Sequence, residues 1–178
     1  MKNSNIVLIG FMGVGKGRVA RELAAQTGQF AIDTDDLIES FCNLKIRKIF
    51  RIYGEAYFRK IERKVAFWME QKVKDTIVST GGGFFAVENL NAIGTVIYLY
   101  SDFDTIIQEI MNHPKAEKKL KKRPLLRDIE KARDLFDERD PLYRKKAEII
   151  IDVRNRESAA TAREILSRLS LPAGASQA

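Results

Sequence analysis

An α/β fold built on a parallel sheet is predicted for this chain of 178 residues by two observations. Short apolar runs alternate with longer amphipathic stretches, the rhythm of buried strands joined by crossover helices. The first apolar run, "NIVLIG", leads directly into a glycine-rich turn, "GFMGVGKG" at 10–17, that opens a helix. With 45% hydrophobic and 31% charged residues, the chain has the apolar content of one folded core and not the composition of a disordered segment.

"NIVLIG" is the first strand, and a helix follows over 16–27 because Val19, Ala20, Leu23 and Ala24 recur on one face, with Gly28 closing it. "FAID" is the second strand and runs into the acidic "DTDD" at 33–36. The stretch 37–50 reads as one or two helices, and 55–73 as a helix that buries Phe58, Ile61, Val65 and Trp68 on one stripe. "TIVST" is the third strand, ending in Gly81, Gly82 and Gly83. "TVIYLY" is the fourth, followed by a helix from Asp102 to about Met111. After a basic segment come a helix over about 128–138, a final strand in "AEIIIDV" and a last helix over about 158–169. No internal repeat or second domain is visible, so residues 1–170 are expected to form one domain and 171–178, "PAGASQA" and the residue before it, a disordered tail.

The formal charge is +7, and "NHPKAEKKLKKRPLLR" at 112–127 alone carries five lysines and two arginines against Glu117. Such concentration favours a local anion site over a broad nucleic-acid face. No stretch approaches the ~20 apolar residues of a membrane span. The single cysteine, Cys42, allows no internal disulfide and no multi-thiolate metal site. The expectation is a cytoplasmic protein that binds neither nucleic acid nor membrane. Cys42 and Trp68 read as packing residues, and His113, beside Pro114, as a solvated side chain.

The turn at 10–17 has the form G-x-x-x-x-G-K, a phosphate loop in which backbone N–H groups cradle phosphates at a helix N-terminus and Lys16 reaches the β- and γ-phosphates. The pattern usually ends in a hydroxyl residue that sits on magnesium. Here Gly17 supplies none, so water or a neighbouring carboxylate must complete the metal shell. "DTDD" stands at the C-terminal end of a strand, where ligands of open α/β sheets bind. If the strand persists, Asp33 and Asp35 divide two tasks, one carboxylate serving a metal and the other an acceptor hydroxyl; alternatively Thr34 or Asp35 caps the next helix. Gly81–Gly83 leave backbone open to a small ligand. Arg59 and Arg139 are candidates for an anionic acceptor, although Arg59 can pair with Glu62 and Arg139 with a local acid. The basic segment with "KRPLL" suits a lid that closes over polyphosphate and excludes water.

Taken in order, "GFMGVGKG", "DTD", "FRKIE", "TGGG", "KRPLL" and "ERDPLY" resemble the shikimate kinase family over residues 5 to about 156. The resemblance implies a three-layer P-loop kinase fold of the nucleoside-monophosphate-kinase type, with a five-stranded parallel sheet, helices on both faces and a mobile lid. It implies transfer of the γ-phosphate of ATP to the 3-hydroxyl of shikimate in aromatic amino-acid biosynthesis, with Mg2+, by a monomer. The acceptor region would span about 34–62 and the lid about 112–127. Asp35, Arg59, Gly81, Gly82, Gly83 and Arg139 would hold shikimate, the arginines on its carboxylate and Asp35 on the reacting hydroxyl. Lys16, Asp35 and Arg123 would carry catalysis. Gly13, Val14, Gly15, Lys16, Gly17, Arg18, Arg123 and Arg156 would bind the nucleotide, and Asp33 would lie near magnesium, through water. The chain departs from the family pattern at Gly17, where Ser or Thr is usual, at Glu109, where an adenine-stacking arginine is usual, and at Ser158, where proline is common. Two other readings share the phosphate loop: a nucleotide- or shikimate-binding protein without turnover, and a kinase for another small hydroxylated metabolite. The second leaves Arg59 and Arg139 with no carboxylate to hold.

Overall fold

Five apolar strands form one parallel sheet in the computed structural model, which describes residues 4–114, 116, 126 and 128–169. They are β1 (Asn5–Ile9), β2 (Ala31–Asp33), β3 (Ile77–Ser79), β4 (Gly94–Tyr100) and β5 (Ile149–Asp152), in the order β2-β3-β1-β4-β5. Every residue of β1 is buried, so the sheet is covered on both faces, which is why this strand reads as a continuous apolar run and not as an alternation. The helices are α1 (Lys16–Thr27), α2 (Thr34–Cys42), α3 (Ile46–Lys72), α4 (Leu90–Ile93), α5 (Phe103–Met111), α6 (Ile129–Lys146) and α7 (Ser158–Arg168), with a 3-10 turn at Phe84–Ala86.

α1 keeps its expected bounds. It buries Val19, Ala20 and Leu23 beside Ala162, Ile165 and Leu166 of α7, and Gly28 ends it in the left-handed conformation with its N–H donated to the Ala24 carbonyl. Tyr143 and Phe136 of α6 are buried together with Phe11, Phe85 and Tyr98, joined through edge-on and tilted ring contacts. Among the described residues no helix is long and apolar enough to cross a membrane.

Several local expectations are corrected. The second strand starts at Ala31, and Phe30 stands outside it, 85% exposed. β2 does not persist through "DTDD": it stops at Asp33, and α2 begins at Thr34 instead of Leu37. Asp33 itself is the N-cap, its Oδ1 accepting the Asp35 N–H at 2.9 Å, so neither Thr34 nor Asp35 plays that part. The region 37–50 holds parts of two helices, separated at Asn43, which is left-handed. α3 is itself broken at Gly54 (φ 77°, ψ 176°), and its second segment begins at Glu55.

Trp68 is not a core residue. At 3.6 residues per turn it lies about 80° from Phe58 while Met69 lies about 20° from it, so Met69 is fully buried and Trp68 is 45% exposed. Together with Leu37, Phe41, Ile61, Lys64 and Val65, Trp68 lines a shallow groove. α6 continues past Glu138 and through Pro141 to Lys146, although an interior proline costs about 3 kcal/mol of helix propensity. Tertiary contacts on both sides of the proline hold it: Phe136 and Tyr143 are buried, and Asp140 accepts hydrogen bonds from Tyr98 (2.7 Å) and Arg144 (2.7 Å).

The register places the functional ends of three strands side by side. Asp33 pairs with Ser79 across β2 and β3, and Ser79 with Leu8 of β1, two residues before the loop at Gly10. The ends of β1, β2 and β3 therefore open on one edge of the sheet, the edge at which ligands of open α/β folds bind.

Candidate active site

One cleft of about 660 Å³ occupies that edge. Its floor is the turn at 10–17. Gly13 and Gly15 have φ of 94° and 102°, a conformation that L side chains rarely adopt, and a Cβ on Gly13 would meet Ile110 at 2.7 Å. Gly15 caps α1, its carbonyl accepting the N–H groups of Arg18 (2.8 Å) and Val19 (3.0 Å), so a helix N-terminus, the end that favours a phosphate, lies at this turn. Lys16 is buried, and its Nζ donates to the carbonyls of Gly10 (2.7 Å) and Phe11 (3.0 Å), which ties the ammonium to the loop. The Val14 side chain is buried in the core, so only its backbone is available to a ligand.

Asp35 reaches the cleft from the first turn of α2. Its carboxyl is pushed up to about 6, first by burial and then by Asp33; Lys16 pulls it back, and Glu62 and Asp36 push it further up.

The wall opposite is the three-glycine loop after β3. Thr80 donates its hydroxyl to Leu8 O (2.9 Å), the Gly81 N–H goes to Thr34 Oγ1 (2.9 Å), and Gly82 O accepts from Tyr143 (2.6 Å) and Arg139 Nη1 (3.2 Å). Burial pushes the Tyr143 hydroxyl up to about 12, so it remains a donor at any working pH. Each glycine faces one functional side chain. A Cβ on Gly81 would come within 2.6 Å of Asp35 Oδ1, one on Gly82 would stand 3.7 Å from Arg139 Nη1, and one on Gly83 would collide with the Arg59 guanidinium. Gly83→Ala is therefore expected to raise the KM for the acceptor at least about tenfold by displacing Arg59, with little change in the KM for the nucleotide. Steady-state kinetics with each substrate varied checks this.

Arg59 is aimed by two acids on α3. Its Nη1 donates to Glu62 Oε2 (2.5 Å), and its Nε and Nη2 to Glu55 Oε1 (3.1 and 2.9 Å). Burial lowers the guanidinium, but Glu62 and Glu55 more than offset that, and the net shift is upward. Glu62 is only 2% exposed; burial pushes its carboxyl up against the opposing pull of Arg59 and Arg139. A buried carboxylate beside two guanidinium groups is part of this site, although the sequence marks it only as a pairing partner three residues after Arg59.

The structure thus brings Gly13, Gly15, Lys16, Gly17, Arg18, Asp33, Asp35, Arg59, Gly81, Gly82, Gly83 and Arg139 to one cleft. It adds Arg21, Glu62, Ser79 and the apolar Ile46, Phe50 and Phe58. His113, read as solvated, is half-buried at the same cleft. Arg156 lies apart, in a hollow of about 450 Å³ with Asp102, Thr105, Asp152, Arg154 and Asn155, and is paired with Glu164. Glu109 holds Arg18 at 3.2 Å, which ties α5 to the start of α1. Arg123 and most of the lid segment 112–127 lie outside the described residues, as does the tail 171–178. Among the described residues no group of three or more His, Cys, Asp or Glu is placed to hold a metal ion.

The family model described as Shikimate kinase matches residues 12–170. A shikimate kinase of Helicobacter hepaticus is 39% identical over 148 residues, which cover 83% of this chain and 86% of that protein. A shikimate kinase of Caldanaerobacter subterraneus subsp. tengcongensis is 37% identical over 169 residues, covering 91% and 94%. The solved structure of shikimate kinase from Acinetobacter baumannii in complex with shikimate matches with a TM-score of 0.82 and 32% identity, covering 94% of this chain and 93% of that one.

Proposed function

Because the chain belongs to the shikimate kinase family, we propose that Arg59 and Arg139 grip the carboxylate of shikimate while Asp35 meets its 3-hydroxyl beside the phosphate loop. The activity is that of an ATP-dependent kinase with an alcohol acceptor: the γ-phosphate of ATP passes to shikimate, giving shikimate 3-phosphate and ADP. The observation that carries the residue assignment is the convergence, in one cleft, of two guanidinium groups, a carboxyl with a raised pKa and the loop lysine.

Two planar guanidinium forks suit a carboxylate, because each can donate paired N–H groups. Glu62 and Glu55 fix the direction of one fork, and the Gly82 carbonyl fixes the other. Asp35, held near 6, is largely ionised at pH 7 and is a stronger base than an ordinary aspartate. It accepts the proton of the 3-hydroxyl as that oxygen bonds to the γ-phosphorus and the bond from phosphorus to the β,γ-bridging oxygen breaks. Lys16 exchanges its loop carbonyls for phosphate oxygens and stabilises the charge that develops there. Positioning and charge compensation of this kind account for most of the acceleration in phosphoryl transfer.

Mg2+ accompanies the nucleotide in this reading. The oxygen donors beside Gly17, the Asp33 carboxylate and the Ser79 hydroxyl, fit a hard cation that takes its remaining ligands from phosphates and water. When bound, the ion would neutralise charge on the β- and γ-phosphates. Arg18 serves the nucleotide, and Arg123 is the lid arginine of segment 112–127, whose charge then answers to polyphosphate and to neither nucleic acid nor membrane. Residues 1–170 act as one domain of a cytoplasmic monomer.

The test is a coupled assay for ADP. ADP release is expected only when shikimate is present, with the phosphate found on the 3-hydroxyl by phosphorus NMR. Nucleotide binding without any shikimate-dependent ADP would overturn the reading in favour of a binding protein.

A further inference from the structure

Gly17 occupies the position at which a phosphate loop ordinarily offers a hydroxyl to the metal. The surroundings of that position show where another oxygen stands. A Cβ built on Gly17 would lie 3.9 Å from Ser79 Oγ, so a hydroxyl on residue 17 and the hydroxyl of Ser79 would serve the same small volume. Among the described residues, the other side chain within 4 Å of that Cβ is Arg21, its Nη1 at 3.8 Å, whose charge disfavours a cation beside it.

Ser79 is set up to present an oxygen, not a proton. It is 3% exposed, and its O–H donates to Asp33 Oδ2 at 2.8 Å, which leaves its lone pairs for another partner and polarises them through the carboxylate. Asp33 is in turn fixed by accepting the Asp35 N–H on Oδ1, and the two residues are paired across β2 and β3, so the sheet sets their geometry. Both line the cleft next to Gly17.

We propose that the Ser79 hydroxyl replaces the metal-binding hydroxyl that Gly17 lacks, so that the nucleotide's divalent cation is seated by the ends of β2 and β3. The inference rests on the magnesium reading above. Arg21 and Ser79 then both stand at the gap, one repelling the ion and the other receiving it.

The experiment measures Mn2+ affinity in the presence of saturating ADP, from the electron paramagnetic resonance signal of free Mn2+. It compares the wild type with Ser79→Ala, Gly17→Ser and the double variant. Ser79→Ala is expected to weaken Mn2+ about tenfold or more, and adding Gly17→Ser to bring it back to within about twofold of the wild type. Metal-free ADP affinity serves as the folding control. Should Ser79→Ala fail to fold, Ser79→Cys reports instead: a sulfur in the shell is expected to shift preference toward Cd2+ at least about tenfold. Ser79→Ala within twofold of the wild type, or no shift with Ser79→Cys, would overturn the proposal. So would a loss that Gly17→Ser does not repair, since Ser79 would then act only by holding Asp33. If the wild type with ADP holds no Mn2+, the magnesium reading itself falls.

Discussion

Asp35→Asn is expected to lower kcat about a thousandfold and, in the same protein, to raise the melting temperature at neutral pH. Both effects come from one cause. Burial and the neighbouring Asp33 push the Asp35 carboxyl to about 6, so at pH 7 the folded protein carries a charge that its surroundings disfavour. An asparagine keeps the shape and removes the charge. The upward shift of roughly two units corresponds to at most about 3 kcal/mol, and partial solvation reduces the expected gain to about 1–2 kcal/mol. For a chain of this size that is about 2–8 °C. The sign follows from proton binding: between pH 4 and 6 the folded state holds a proton on Asp35 that the unfolded state has lost. The carboxyl therefore favours the fold in acid, and this contribution disappears as pH rises through about 6. The stability advantage of Asn should consequently vanish near pH 4. The wild-type profile of kcat/KM should fall on the acid side with an apparent pKa near 6, a limb that the variant lacks. Thermal unfolding at pH 4 and pH 7, with a pH–rate profile, checks all three statements. A variant that is less stable at pH 7 would contradict the electrostatic account of this residue.

Arg59→Met should be the most damaging single change to stability and acceptor binding together. It strands Glu62, which is 2% exposed and whose Oε2 is 2.5 Å from Arg59 Nη1. Removing one partner of a buried pair typically costs 3–5 kcal/mol, and Arg139, which also pulls on Glu62, reduces this to roughly 2–4 kcal/mol here. Adding Glu62→Gln to the variant removes the stranded charge, so most of the stability should return. Acceptor affinity should not, because the fork that grips the carboxylate is still missing. Unfolding in urea and calorimetric titration with shikimate separate the two roles. Recovery of affinity in the double variant would mean that Arg59 serves Glu62 and not the substrate.

The phosphate loop was legible because its backbone demands glycine at fixed positions, and Gly13 and Gly15 leave that mark in any sequence. The order of strands and helices was legible from apolar runs for the same local reason. The roles within "DTDD" were not. β2 stops at Asp33, whose carboxylate turns back to cap α2, and only the three-dimensional turn separates the capping carboxylate from the one aimed at the cleft. Glu62 is marked locally only as a partner for Arg59 three residues before it, with nothing to show that it is buried, and Ser79 carries no local signature, since its partner Asp33 comes from another strand. The three glycines after β3 were visible, but the reason for Gly81 and Gly83 was not, since it lies in Asp35 and Arg59 standing where their side chains would otherwise be. The burial of Trp68 and the end of α6 were misread for different reasons. The stripe on α3 centres nearer Met69 than periodicity alone showed, and packing around Asp140 and Tyr143 carries α6 through a residue that usually stops a helix.

The most direct test of the central claim is a crystal structure of the protein with ADP and shikimate. The expected result has the shikimate carboxylate within about 3 Å of both the Arg59 and Arg139 guanidinium groups, with the 3-hydroxyl against Asp35 and facing the phosphate loop. A carboxylate bound elsewhere in the cleft, with either arginine turned away from it, would contradict the account.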